Sequence, residues 1–151
     1  TAFRSLKGYP PMKPFTIVVI DGQGGKIGKQ LVEAVRARLP EAEIAAVGTN
    51  SIATSTMMKA GATRCGTGEN AVLVACRTAD VIVGPLGIVI ADSMMGEISP
   101  AMAAAIGQSA AVRLLIPMNL CNNVVVGVNA LPIKDLIPLA ADEVLRLSAQ
   151  R

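Results

Sequence analysis

At 151 residues the chain is long enough for one domain with a full core. Its composition is 52% hydrophobic and only 17% charged, which implies a thoroughly buried parallel sheet, surface hidden in an oligomer, or both. The net charge of +3 draws on Arg4 and Lys7, and the only aromatics are Phe3, Tyr9 and Phe15. With no basic run, no helix-turn-helix pattern and no stacking surface for single strands, nucleic acid is set aside as a partner.

The chain has no histidine. That removes Ser–His–Asp and Cys–His catalysis together with the commonest transition-metal ligand. Cys65, Cys76 and Cys121 lie far apart with no C-x-x-C spacing, so no metal is expected, and the odd count suits reduced thiols in a cytoplasmic protein. Residues 1–11 lack the apolar core of a secretory signal and read as an extension before a natural start at Met12; residues 12–151 form the domain. The uncharged run 114–133 is long enough to span a bilayer, but Pro117, Pro132 and four asparagines within it argue against a membrane helix.

In chain order, residues 16–20 (TIVVI) read as a buried strand, followed by a glycine-rich turn at 21–25 and a helix from Lys26 to Leu39, which Pro40 stops. A second strand covers 43–47. Ser51 can cap a helix running to about Ala60, with Gly61 at its end. A short extended piece at 63–65 leads into a second glycine turn, GTGEN, and a helix over 70–77. Strand 81–83 ends in Gly84-Pro85-Leu86-Gly87. Residues 88–98, with only Asp92 and Glu97 charged, read as a buried helix. Ser99-Pro100 then opens a helix over 101–108. Strands are expected at 114–116 and 124–128, and the seven residues between them are too few for a parallel crossover, so this pair is expected as an antiparallel hairpin. A helix over 134–150 closes the chain. Strands alternating with helices imply an α/β fold, a Rossmann-like three-layer sandwich with a mostly parallel sheet and that antiparallel hairpin at one edge.

Ligands of such sheets bind outside the carboxyl ends of the strands. Each strand here ends in small or polar residues: DGQGG, GTNS, CGTGEN, GPLG and MNLCNN. The first of these loops has the order that a phosphate needs, strand, glycines, then a helix N-terminus rich in free amide donors. Its candidate ligand contacts are Asp21, Gly22, Gln23, Gly24, Gly25, Lys26, Ile27 and Gly28, with Thr49, Asn50 and Ser51 from the second loop and Gly84, Pro85 and Leu86 from the fourth. Lys26 and Lys29 near the helix start are unfavourable against the helix dipole, by about 0.3–1 kcal/mol when exposed, unless an anion sits between them. Asp21 would repel a pyrophosphate, and is expected to bind a ribose hydroxyl, a magnesium ion or the loop's own amides. Thr49, Asn50 and Ser51 could hydrogen-bond a sugar, although the acid expected at the end of the second strand for a nicotinamide dinucleotide is missing. GTGEN reads as ordinary helix capping, Cys121 as an inert thiol with no histidine to activate it, and the pairs Met57-Met58 and Met94-Met95 as core or interface filler.

The stretch DGQGGKIGKQLVEAV resembles the opening of extended short-chain dehydrogenases and related NAD(P)-binding proteins, over roughly the first thirty-five residues after Met12. That resemblance implies that Gly22, Gly25 and Gly28 line a pyrophosphate. The rest departs, with no Tyr-x-x-x-Lys pair and Tyr9, the single tyrosine, ahead of the fold. From Met12 to about Leu139 the chain also resembles a small bacterial family of unknown function, through IDGQGGKIG, GTNSIATSTMMKAGA, TGENA, VGPLGI and LCN. The function expected is binding of a nucleotide or another phosphate-bearing small molecule, NAD(P) the first candidate, in a module that is a binder more than an enzyme. The alternatives are an oligomeric structural or interaction protein with a non-binding glycine loop, or a small histidine-free enzyme using Asp21, Glu69 or Cys121. A homodimer or higher homo-oligomer is expected, buried through residues 88–98. Gly25→Val is expected to abolish ligand binding and spare the fold.

Overall fold

The computed structural model describes residues 13–118 and 120–151. Five strands form one sheet in the order β3-β2-β1-β4-β5. They are β1 (Thr16–Asp21), β2 (Glu43–Gly48), β3 (Arg64–Thr67), β4 (Val81–Pro85) and β5 (Val112–Ile116), and all four pairings are parallel. Five helices connect and cover them: α1 (Lys26–Arg38), α2 (Ser51–Lys59), α3 (Glu69–Thr78), α4 (Pro100–Gln108) and α5 (Ile133–Ala149).

β1 is central and buried along its whole length, as a parallel strand with both faces covered must be. The period of two divides its side chains between two cores. Ile17 and Val19 pack with Leu31, Val32 and Val35 of α1, Met57 of α2, and Ile137, Ala140 and Val144 of α5. Val18 and Ile20 pack on the opposite face with Val72 and Cys76 of α3, Ile88, Met94, Ile98, and Met102 and Ile106 of α4. Each fully buried branched side chain of this kind contributes about 1.5–3 kcal/mol relative to exposure. The result is a Rossmann-like three-layer α/β sandwich. The strand order reverses at β1, so the crevice outside the carboxyl ends of β1 and β4 is the topological switch point.

The expected antiparallel hairpin does not form. β5 pairs with β4 in parallel, Val81 opposite Val112 through Pro85 opposite Ile116. Residues 124–128 belong to no strand, and Val124 and Val126 are 85% and 92% exposed. Left-handed backbone at Cys121 and Asn122, with φ of 46° and 63°, and at Gly127 breaks the extended run that the valines suggest. Residues 88–98 are likewise not a helix. A short 3₁₀ turn (Leu86–Val89) gives way to a compact loop in which Asp92, Met94, Met95 and Gly96 all take positive φ. The loop closes on itself through Asp92 N donating to Ile98 O at 2.7 Å, Ile98 N donating to Ser93 O at 3.3 Å, and the Ser93 hydroxyl donating to the Gly87 carbonyl. Its apolar residues still go inward, since Ile88, Met94 and Ile98 are buried, which is why the pattern reads as helix.

Helix ends follow the local chemistry. Ser99 caps α4 by accepting from Met102 N, with Pro100 at the first helical position. Asn50, not Ser51, caps α2: its Oδ1 accepts from Ala53 N at 2.9 Å, while Ser51 is the exposed first helical residue. Pro138 is the sixth residue of α5, past the first turn, so it forgoes the hydrogen bond that a backbone N–H there would make to the carbonyl of Lys134. Among the described residues no helix is long and apolar enough to cross a membrane.

Candidate functional site

The carboxyl ends of β1, β2 and β4 bring three segments together: the glycine turn after β1, the Thr49-Asn50 corner after β2, and the loop after β4. The glycine turn is held by Gly25 N donating to Gly22 O at 2.9 Å, and Gly25, with φ of 74°, makes the left-handed step into α1. No side chain caps α1 at Gly25; Asp21 does the work from the end of β1. Its Oδ1 accepts from Gly22 N at 2.8 Å and its Oδ2 from Gly28 N at 2.7 Å. Binding the loop's own amides, one of the three roles open to Asp21 in the sequence, is seen here. Burial raises its pKa above the ordinary 3.8, the amides of Gly28 and Gly22 oppose the rise, and the negative charge of Glu97 adds to it.

Glu97 is the residue that sequence reasoning missed. Its Oε1 accepts from the Thr49 hydroxyl at 2.6 Å, from Asn50 Nδ2 at 2.7 Å and from Gln23 N at 2.9 Å. Asn50 Nδ2 also donates to Gln23 O at 2.9 Å, so the second loop is pinned to the first. Burial pushes the Glu97 pKa up, but hydrogen bonds from Thr49, Gln23 and Asn50 outweigh it and hold the carboxyl below its ordinary 4.5. A signal for Glu97 existed in the sequence: it is one of two charges in an apolar segment, while the end of β2 lacks the acid that its position calls for.

Gly25 and Gly28 are fixed by the fold. A Cβ on Gly25 would lie 2.9 Å from Ala53 Cα, and one on Gly28 would lie 2.5 Å from Met57 Sδ and 2.9 Å from Asp21 Cβ. The expectation that Gly25→Val spares the fold is therefore corrected, because the added atoms meet α2 backbone. Gly24 differs: a Cβ there meets nothing within 4 Å. Among the described residues the amides of Gly24 and Lys26 have no protein acceptor, and the exposed Lys26 makes no ion pair. Ile27 is half-buried and packs against the core beneath α1.

The remaining candidates divide. At Gly84 β4 leaves no room for a side chain beside β1, since a Cβ would lie against the Ile20 carbonyl. Pro85 ends β4 and Leu86 starts the 3₁₀ turn, which puts both at the floor of the switch point. The second glycine turn is internally satisfied: Gly68 N donates to Gly48 O at 2.8 Å, Thr67 and Thr54 share a hydroxyl contact at 2.7 Å, and Glu69 accepts from the Ser99 hydroxyl at 2.6 Å. Cys121 is exposed on a turn, and Cys76 is buried, its thiol pushed up to about 11 by burial. Met94 is buried and Met95 is 96% exposed. Among the described residues no three His, Cys, Asp or Glu side chains gather as a metal site. A groove of about 510 Å³ lies between α3 and α4, lined by Leu73, Cys76, Arg77, Gln108, Ser109 and alanines.

No curated protein matches the sequence. Among solved structures the chain is similar to a nucleoside-diphosphate-sugar epimerase from Pseudomonas aeruginosa, with 16% identity and a TM-score of 0.46 over 90% of this chain and 48% of the epimerase, so that it spans about half that protein's length. It is similar also to a dodecameric FMN-dependent UbiX-like decarboxylase from Escherichia coli O157:H7, with 17% identity and a TM-score of 0.41 over 87% of this chain and 92% of the other. The model of a family described as a domain of unknown function, DUF3842, matches residues 16–149, from the start of β1 to the end of α5, and the chain belongs to that family.

Proposed function

We propose that this protein binds a nucleotide or another phosphate-bearing small molecule at the carboxyl ends of β1, β2 and β4, with NAD(P) as the first candidate. The observation that carries this reading is Gly24. It is the loop position where glycine has no internal packing reason, and it stands beside amides of Gly24 and Lys26 that no protein group accepts from. A glycine open to solvent before a helix N-terminus suits an anion approaching the backbone, with Lys26 supplying charge. Native mass spectrometry of freshly purified protein, repeated after denaturation, tests it. A co-purified mass matching a nucleotide supports the reading; apo protein that also fails to bind any of a nucleotide panel refutes it.

One observation favours a second reading, an oligomeric interaction protein with a non-binding loop. Asp21 and Glu97 already accept from Gly22, Gln23 and Gly28, so part of the loop's donor capacity is used internally. Self-association would draw on exposed apolar residues, of which Val124, Val126 and Met95 are the most exposed, because Ile88, Met94 and Ile98 are spent in the chain's own core. Gel filtration at micromolar concentration decides whether the chain self-associates.

A further inference from the structure

We propose that Glu97 reads the sugar of the bound nucleotide, accepting a hydrogen bond from a free ribose 2′-hydroxyl and excluding nucleotides phosphorylated there. The inference rests on the nucleotide reading above and names the chemistry that it would select.

Dinucleotide-binding sheets place an acid at the end of their second strand, where it accepts from the ribose 2′-hydroxyl. β2 here ends in Gly48-Thr49-Asn50, with no acid. The fold delivers one from elsewhere in the chain. Glu97 Oε1 lies 2.6 Å from Thr49 Oγ1, 2.7 Å from Asn50 Nδ2 and 2.9 Å from Gln23 N, which sets the carboxylate between the end of β2 and the glycine turn. Three donors converge on that one oxygen. Among the described residues Oε2 accepts from none, and the side chain is half-buried rather than enclosed. One oxygen is held and the other is left open. That is what a hydroxyl reader needs, a carboxylate whose direction is fixed before the ligand arrives and whose second oxygen is an acceptor only.

The backbone that presents Glu97 fits the same role. Met94, Met95 and Gly96 precede it with φ of 56°, 58° and 87°, and Ile98 behind it is fully buried. Left-handed conformations at two methionines are unfavourable locally, and such strain gathers where the surrounding structure holds a side chain in a required place. An ionised carboxylate in this position attracts a hydroxyl and repels a 2′-phosphate.

Isothermal titration of the full chain with NAD, NADP, ADP and 2′-deoxy-ADP tests the inference, for the wild type and for Glu97→Gln. The wild type is expected to bind NAD at least tenfold more tightly than NADP, and ADP about tenfold more tightly than 2′-deoxy-ADP, the range for a hydrogen bond to a charged group. Glu97→Gln, whose amide oxygen can still accept from Thr49 and Asn50, is expected to narrow the NAD-to-NADP ratio toward one and to leave 2′-deoxy-ADP unchanged. The wild-type ratios need no variant, so a misfolded Glu97→Gln does not remove the test. Equal binding of NAD and NADP by the wild type overturns the role of Glu97 while the nucleotide reading stands. No binding of any of the four overturns both.

Discussion

The hydroxyl of Thr49 donates to Oε1 of Glu97 across 2.6 Å of space and 48 residues of sequence. This contact ties the loop after β4 to the end of β2, and Asn50 and Gln23 join it on the same oxygen. Removing the carboxylate leaves three donors to find water. Glu97→Ala should therefore lower stability by about 1 kcal/mol, a Tm shift of roughly 2–4 °C in a chain of this size. A double-mutant cycle of Thr49→Val with Glu97→Ala should show a coupling of about 0.5–1.5 kcal/mol. Additive effects in the cycle would mean that the contact carries no energy of its own.

Acid titration should separate the two carboxylates, because their shifts have opposite signs. Glu97 is held below its ordinary 4.5, so its contribution is present above that value and is lost as pH falls through its folded pKa. Asp21 is raised above its ordinary 3.8, so the folded protein binds that proton more tightly than the unfolded chain does. Its effect is to favour folding in acid, and that advantage disappears as pH rises from 3.8 through the raised folded value. Thermal melts at a series of pH values should show a shallower acid decline for Glu97→Gln than for wild type. Asp21→Asn should remove the opposing slope, and it should also lower stability near neutrality, since Gly22 N and Gly28 N donate to different oxygens of Asp21 and an Asn side chain sets a donor NH2 against one of them. Parallel pH profiles for all three proteins would contradict these assignments.

Adjacent glycines should behave as opposites. Gly25→Ala forces a side chain into left-handed backbone and brings Cβ to within 2.9 Å of Ala53 Cα, so the variant should lose about 2 kcal/mol or more. Gly24→Ala meets nothing and should melt within about 0.5 kcal/mol of wild type. If a phosphate approaches the loop, Gly24→Val should weaken its binding at unchanged fold content, measured by titration beside far-UV circular dichroism. Normal ligand affinity in Gly24→Val would remove Gly24 from the site.

The fold was legible wherever local pattern and tertiary partner agree. The apolar run 16–20, the helical spacing of Leu31, Val32 and Val35, and the Ser99-Pro100 start each report a single environment, and each element forms where its pattern places it. The valines at 124–126 and 128 carry strand propensity, and β5 lies at the sheet edge, but left-handed backbone at Cys121, Asn122 and Gly127 breaks the extended run before it can pair. Residues 88–98 bury their apolar side chains at near-helical intervals while the backbone turns left-handed, a conformation that hydrophobic spacing cannot register. The glycine loop was visible because its geometry is local. Glu97 was not, because its meaning depends on where the loop after β4 comes to rest.

Asn50 joins two tasks that a single variant can separate. Its Oδ1 caps α2 through Ala53 N, and its Nδ2 donates to Glu97 and to Gln23 O. Asn50→Asp keeps the acceptor that caps the helix and favours the helix dipole, but replaces the donor with a second negative oxygen facing Glu97. Asn50→Ser keeps a capping oxygen on a side chain too short to reach as far. Asn50→Ala loses both functions and should cost about 1–2 kcal/mol. If linkage to Glu97 matters more than the cap, Asn50→Asp should be the least stable of the three at pH 7 and should recover as pH falls, because protonating either carboxyl relieves the repulsion. If the cap dominates, Asn50→Asp should match wild type and Asn50→Ala alone should suffer. Thermal melts of the three variants at pH 7 and pH 4.5 distinguish the two orders. A stable Asn50→Asp at pH 7 would show that the loop after β4 can move off the end of β2 at little cost.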